Sequence, residues 1–349
     1  NFIFRGVSIL CTIVFLVSGL CGCTAGGNGE ENLPKDQKKL RVVTTIFPQY
    51  DFVRQIAGDN VSLTMLLKPG EETHSYEPTP QDIIAIQNAD LFIYVGGEND
   101  EWVEDILESP EMEDVKRLRL VDCVGNILAE EHVEGMKEER GHSHEDEEEE
   151  SHDEEEHFLH SAEETEEEHN EHVHTMDEHV WTSPGNAIDI VEHITEELCS
   201  LDSEHGQTYK DNAEAYETQL KELDTAFRDV VENAKNHTLL FGDRFPFRYF
   251  AAEYGLEYYA AFSGCASDTE PSAATMAFLI NKVKEEHIPV VLKMELSNDN
   301  IANAIAEACD VPVKVFYSSH NISAKQFEAG VTYLDLMKEN VETLKEALR

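Results

Sequence analysis

The chain has 349 residues, long enough for two domains that each bury a core. Its 72 acidic side chains against 26 basic ones give a formal net charge of −46, which repels nucleic acid and gathers cations, so a DNA or RNA partner is excluded. Cys123, Cys199, Cys265 and Cys309 are widely spaced without a CxxC pair, which points to neither a zinc finger nor a disulfide framework and leaves buried thiols, with one disulfide among them still open.

At the N-terminus Arg5 precedes an apolar run over 7–20, followed by Leu20-Cys21-Gly22-Cys23, the pattern of an export signal over 1–22. A large residue, then Gly22, then Cys23 resembles a bacterial lipobox. Cys23 fits it better than Cys21, which has Leu20 where a small residue is expected. An acylated Cys23 and a polar tether over 23–39 are the expectation, with an uncleaved anchor helix or plain secretory signal as the alternative.

From residue 40 the pattern alternates. A β-branched strand over 40–46 leads to a helix over 50–57 and the turn Gly58-Asp59-Asn60. Strand 61–67, a helix from Thr79-Pro80 through Gln87, strand 91–95, helix 102–107 and strand 118–121 follow. Such alternation implies an α/β lobe with a largely parallel sheet over 40–129, completed by 179–207. Helices are predicted over 186–198 and 208–234. The second carries Tyr209, Ala213, Tyr216, Leu220, Leu223, Phe227 and Val230 at helical spacing and reads as a connecting helix within 208–236. A second α/β lobe over 237–349 contains strands 238–241, 256–262, 290–294 and 313–317, helices 247–253, 271–286 and 300–308, and one closing helix over 327–348.

Residues 130–178 break this rhythm, with 23 Asp and Glu against only Lys137 and Arg140. The segment cannot bury enough apolar surface to order itself and is expected to be disordered. It also holds His132, His142, His144, His152, His157, His160, His169, His172 and His174, interleaved with carboxylates. Imidazole and carboxylate together bind borderline cations, here weakly, because ordering the chain around each ion costs entropy.

Outside that tract, His74 follows strand 61–67 and His179 stands where the acidic tract meets Val180-Trp181. Ligands in open α/β sheets sit beyond the carboxyl ends of strands, and imidazoles from separate loops make a closed tetrahedral site. The aromatic group from Phe245 to Phe262, which includes Tyr249 and Tyr258, reads as core and cleft wall.

Residues 42–52 (VVTTIFPQYDF), His74-Ser75-Tyr76-Glu77-Pro78-Thr79, Ala85-Ile86-Gln87-Asn88-Ala89-Asp90-Leu91, His179-Val180-Trp181, Glu270-Pro271-Ser272 and residues 332–337 (TYLDLM) carry a family pattern. Across roughly 40–349 the chain resembles the zinc- and manganese-binding solute-binding lipoproteins of bacterial ABC transporters. The resemblance implies two α/β lobes joined by a long rigid helix, with metal in the interlobe cleft and two of its ligands at His74 and His179. The acidic, histidine-rich insert resembles that of the zinc-selective branch, which places Zn²⁺ first, as transported ligand, with Mn²⁺ possible.

The C-terminal half departs from the family. Where a third histidine is usual, Arg244 stands in residues 241–249 (FGDRFPFRY), and Arg keeps its proton and cannot coordinate. The usual last carboxylate is missing near Tyr317-Ser318-Ser319-His320. His320 offers a replacement imidazole, and Glu295 or Asp243 a carboxylate, so the expected shell is His74, His179 and His320 with one of those two. Cys265 is a weaker candidate, and Arg244 and Arg248 are expected to pair with carboxylates across the cleft.

The expected function is therefore capture of Zn²⁺ by a monomer held on the outer face of the cytoplasmic membrane or in the periplasm. The bilayer contact is the acylated cysteine and the partner is an ABC permease. The alternatives are a manganese or mixed-metal binder and a surface adhesin or storage lipoprotein. A metallohydrolase lacks its signature, since no HExxH occurs.

Overall fold

The two sheets that the alternation implies are present and share one topology. In the first, β1 (Leu40–Thr44), β2 (Val61–Met65), β3 (Leu91–Tyr94) and β4 (Lys116–Arg119) run parallel in the order β2-β1-β3-β4. In the second, β5 (Thr238–Phe245), β6 (Glu257–Ser263), β7 (Val291–Lys293) and β8 (Val313–Val315) run parallel in the order β6-β5-β7-β8. Each sheet reverses its order beside its first strand, and the crevice beyond the strand ends at that point is the natural ligand position. The computed structural model describes residues 39–71, 76–97, 100–136, 176–264, 266 and 270–349. The chain divides into Asn1–Lys38, which lies outside the described residues with Cys23, and Lys39–Arg349. His74, Cys265 and every histidine of the tract except His132 also lie outside them.

Helices α1 (Phe47–Ala57), α2 (Pro80–Gln87) and α3 (Glu101–Leu107) connect the first sheet, and α2 starts where Thr79 and Asp82 cap each other ahead of Pro80. The four side chains of β3, Leu91-Phe92-Ile93-Tyr94, are all buried, as a central parallel strand covered on both faces requires. After α4 (Pro184–Leu201), the 27-residue α5 (Gly206–Glu232) spans about 40 Å at 1.5 Å per residue. It buries Tyr209, Ala213, Tyr216, Leu220, Leu223 and Phe227 as the spacing predicts. Its last inward residue is Val231, while Val230 is only half-buried.

One apolar cluster runs from Val42 and Phe52 through Tyr209, Leu220 and Phe227 to Leu239, Phe316 and Tyr333. Bending the lobes apart about α5 would tear this shared core, so α5 is a stiff spine rather than a linker. Polar ties add to it. Tyr333 donates its backbone N–H to Asp51 at 2.7 Å and its hydroxyl to Trp181 O at 2.7 Å, and Arg54 donates to Val331 O at 2.9 Å.

Helices α6 (Arg248–Tyr254), α7 (Ala273–Glu285) and α8 (Asn300–Cys309) connect the second sheet. The single closing helix expected over 327–348 is two helices, α9 (Ala324–Glu328) and α10 (Tyr333–Ala347). Gly330 turns the chain at φ 73°, and a reciprocal Thr332–Asp335 cap starts α10 afresh. The expected strand 118–121 is shifted, since β4 ends at Arg119 and a 3₁₀ turn takes over. Cys123, Cys199 and Cys309 are free thiols.

The edges of the acidic insert also move inward from 130–178. Ala129 bridges Met176 in antiparallel fashion, Asp177 donates its N–H to Leu128 O at 2.9 Å, and Asp177 and Glu178 are buried. Their charge counted them with the tract, but their partners lie in the fold.

Candidate metal site

His179 sits on the turn entering the 3₁₀ segment Val180–Thr182, with no exposed surface. Its backbone N–H donates to Asp177 Oδ1 at 2.9 Å, and its ring Nδ1 lies 3.0 Å from the same oxygen. A carboxylate there holds the proton on Nδ1 and leaves Nε2 as the nitrogen with a lone pair to offer. Burial pushes the imidazole pKa down, but the charge and hydrogen bond of Asp177, with Glu178 and Glu130, outweigh it, and the net shift is upward. Gly264 backs the ring closely, since an added Cβ would stand 3.2 Å from His179 Cε1.

His320 follows β8. Its ring centroid is 5.4 Å from that of His179, with the planes at 89°. Trp181 seats both rings, with centroids 5.4 Å from His179 and 5.0 Å from His320, and its indole N–H donates to Ser318 O at 2.9 Å. Two imidazoles bound to one zinc at about 2.0–2.1 Å with a tetrahedral angle have ring centres about 5 Å apart, close to this spacing. Between Ser318 and His320, Ser319 is fully buried at φ 60°, a left-handed conformation costing about 1–3 kcal/mol that the surrounding contacts must hold.

Glu295 lies just after β7, half-buried. Ser318 donates to both carboxylate oxygens, through its N–H and its hydroxyl, each at 2.7 Å. Burial raises the Glu295 pKa against the lowering effect of those donors. Beside it, a cavity of about 130 Å³ is lined by Glu71, Arg244, Glu295, Ser318 and His320. Asp243 is placed differently. Its Oδ1 accepts from Arg244 N at 2.8 Å, and its Oδ2 accepts from Met294 N at 2.9 Å and from the Ser297 hydroxyl. It ties β5 to the loop after β7. Arg244 donates to Ala266 O at 3.4 Å, and Arg248 pairs with Glu131 at 3.1 Å.

The structure thus brings His179, His320 and Trp181 together, with Glu295 held nearby through Ser318. Among the described residues no three His, Cys, Asp or Glu side chains gather as a metal group. His74 and Cys265 lie outside those residues. The sequence reading missed Asp177 as the group that orients His179, and counted it with the tract. Its placement two residues before a buried His is the signal that would have found it. Ser318, which holds Glu295, carries no such signal.

On the first lobe's side of the cleft, Asp100 is buried and accepts from Val95 N at 2.7 Å and Gly96 N at 3.1 Å. Burial pushes its pKa up to about 7, against the Gly96 donor and with the help of Glu178. No helix among the described residues is long and apolar enough to cross a membrane.

Residues 42–347 match the family described as "ZnuA: Zinc-uptake complex component A periplasmic". The zinc-binding lipoprotein AdcA of Streptococcus pneumoniae is 32% identical over 309 residues, which are 88% of this chain and 56% of that protein. The chain therefore spans little more than half of the AdcA relatives. The high-affinity zinc uptake system protein ZnuA of Bacillus subtilis is 31% identical over 341 residues, 96% of this chain and 94% of that protein. The crystal structure of the Zn(II)-bound ZnuA-like domain of S. pneumoniae AdcA is 28% identical at a TM-score of 0.67, covering 89% of this chain and 99% of that one.

Proposed function

The chain belongs to the ZnuA family of zinc-uptake components, and from that premise we propose that it captures Zn²⁺ outside the cytoplasm and delivers it to the permease of an ABC transporter. The observation that carries the reading is the pair of imidazoles 5.4 Å apart on one indole, close to the separation of about 5 Å between the rings of two histidines on one zinc ion. The zinc-binding names of the AdcA and ZnuA relatives support the choice of metal.

The shell this reading assigns is His179 and His320, with His74 from the loop after β2; Glu295, which does not gather with the two imidazoles as a third ligand among the described residues, is assigned the carboxylate that moves onto the ion. Asp243 is left to its structural tie between β5 and the loop after β7, because it does not line the cavity that Glu295 shares with His320. Neutral imidazoles take the ion and release any proton they held, and Asp177 and Trp181 keep the rings in place before it arrives. His142, His144, His152, His157, His160, His169, His172 and His174 are assigned weak, secondary binding that raises the local zinc concentration. Cys23 is assigned the lipid anchor, and the protein is assigned a monomeric state.

Chelator-competition titration of zinc with the full chain, His179→Ala and His320→Ala tests this. One tight site lost in both variants is the expected result, and a tight site retained in both would overturn the reading.

A further inference from the structure

The root of the acidic insert is not simply a point of attachment. Three polar groups close a ring there. Leu128 donates its N–H to the Tyr249 hydroxyl at 3.2 Å, Tyr249 donates that hydroxyl to Asp177 O at 2.8 Å, and Asp177 donates its N–H to Leu128 O at 2.9 Å. Asp177 therefore has both its backbone groups fixed, one by each of two elements. Its side chain then grips His179 twice, at the backbone N–H and at ring Nδ1.

Tyr249 belongs to α6 of the second lobe and is 4% exposed, so its hydroxyl is placed by packing and not by solvent. The second lobe also holds the insert's outgoing chain beyond the ring. Glu131 accepts from the Tyr258 hydroxyl at 3.0 Å and lies 3.1 Å from Arg248 Nε, and Tyr258 stacks on Phe245 with centroids 3.6 Å apart. Farther along, Gly135 packs against Phe278 of α7, at φ 90°, so closely that an added Cβ would overlap the ring. Residues 128–136 thus lie along the second lobe, while residue 179 faces the cleft.

We propose that Tyr249 is a positioning residue for the metal site: its hydroxyl locks the insert's root to Asp177, and Asp177 in turn sets the tautomer and direction of His179. The proposal rests on the reading of His179 as a ligand. It gives the root of the insert a role separate from the histidines beyond it. A hydroxyl two steps from the metal acts only through the imidazole, so its removal must alter the ring before any ion is bound. Groups orienting a metal-binding imidazole are worth about 10–100-fold in affinity, and a group acting through one of them less, about 3–10-fold.

The test uses the full chain, Tyr249→Phe, Asp177→Asn and His179→Ala. Tight-site zinc affinity is read by chelator competition, the imidazole Nδ1–H signal of metal-free protein by ¹⁵N-edited NMR, and stability by thermal melting. His179→Ala removes the signal and so assigns it. Tyr249→Phe is expected to weaken the tight site about 3–10-fold and to shift or broaden that signal. Asp177→Asn leaves the backbone ring intact, is expected to do both more strongly, and keeps the question open to measurement should Tyr249→Phe fold poorly. Parent-like affinity and an unmoved signal in Tyr249→Phe would overturn the proposal. So would weaker binding with an unmoved signal, which marks a loss of stability alone. Parent-like zinc binding by His179→Ala would overturn the ligand reading itself, a distinct failure.

Discussion

The imidazole of His179 stands edge-on to that of His320, 5.4 Å between centroids and 89° between planes, with Trp181 packed against both. His179 reaches this position from the end of the insert and His320 from the loop after β8, so the pair exists only because α5 and the shared core fix one lobe on the other. The indole N–H bonded to Ser318 O couples the two loops directly. A site built this way is preorganised, and the ion need not pay for ordering both rings.

Zinc affinity must fall on acidification, and from a higher pH than an ordinary histidine would give. The folded His179 pKa lies above the usual value of 6.5, so protons compete with the metal before that pH is reached. Titrations between pH 8 and 5.5 are expected to show affinity declining across this range with proton release on binding. Affinity that stays flat down to pH 6 would contradict the assignment.

Glu295 and Asp243 must separate by what their loss changes. Glu295→Gln turns an amide toward the two Ser318 donors and removes the carboxylate at the cleft, and is expected to weaken zinc binding about 10–100-fold. Asp243→Asn disturbs the bonds to Met294 N and Ser297 instead. It is expected to cost about 1–3 kcal/mol of stability with zinc affinity within about threefold of the parent. Calorimetry beside urea denaturation reads both.

Asp100 predicts a pH-dependent stability in metal-free protein. Its folded pKa of about 7 exceeds the unfolded 3.8, so the folded state holds more protons between these values. Stability therefore falls as pH rises from about 4 to 7, by at most roughly 4 kcal/mol from this group. Asp100→Asn retains an oxygen for Val95 N and Gly96 N but does not titrate. Relative to the parent, the variant is expected to gain stability from pH 5 to pH 7.5, measured by denaturant unfolding at both.

Much of this architecture is legible along the chain because parallel strands and amphipathic helices write periodic patterns. The fully buried Leu91-Phe92-Ile93-Tyr94 and the inward face of α5 are instances. The break between α9 and α10 is not, because one Gly330 inside an apolar periodicity does not announce the fresh cap at Thr332. The roles of Asp177 and Tyr249 are hidden for a different reason. An acidic residue at the end of an acidic tract and a tyrosine in an aromatic run look like their neighbours, and only the fold brings them within 2.8 Å. His320 stood out as an imidazole after a strand and His179 as one where the acidic tract meets Val180-Trp181, whereas Ser318 acts through geometry alone.

The most direct measurement is zinc titration by calorimetry of a chain lacking residues 137–175, whose flanks are already joined by the Ala129–Met176 bridge, with and without His320→Ala. The account predicts one tight site in the deleted chain, weakened at least about 100-fold by His320→Ala. A tight site unchanged by His320→Ala, or none at all once the tract is removed, would contradict it.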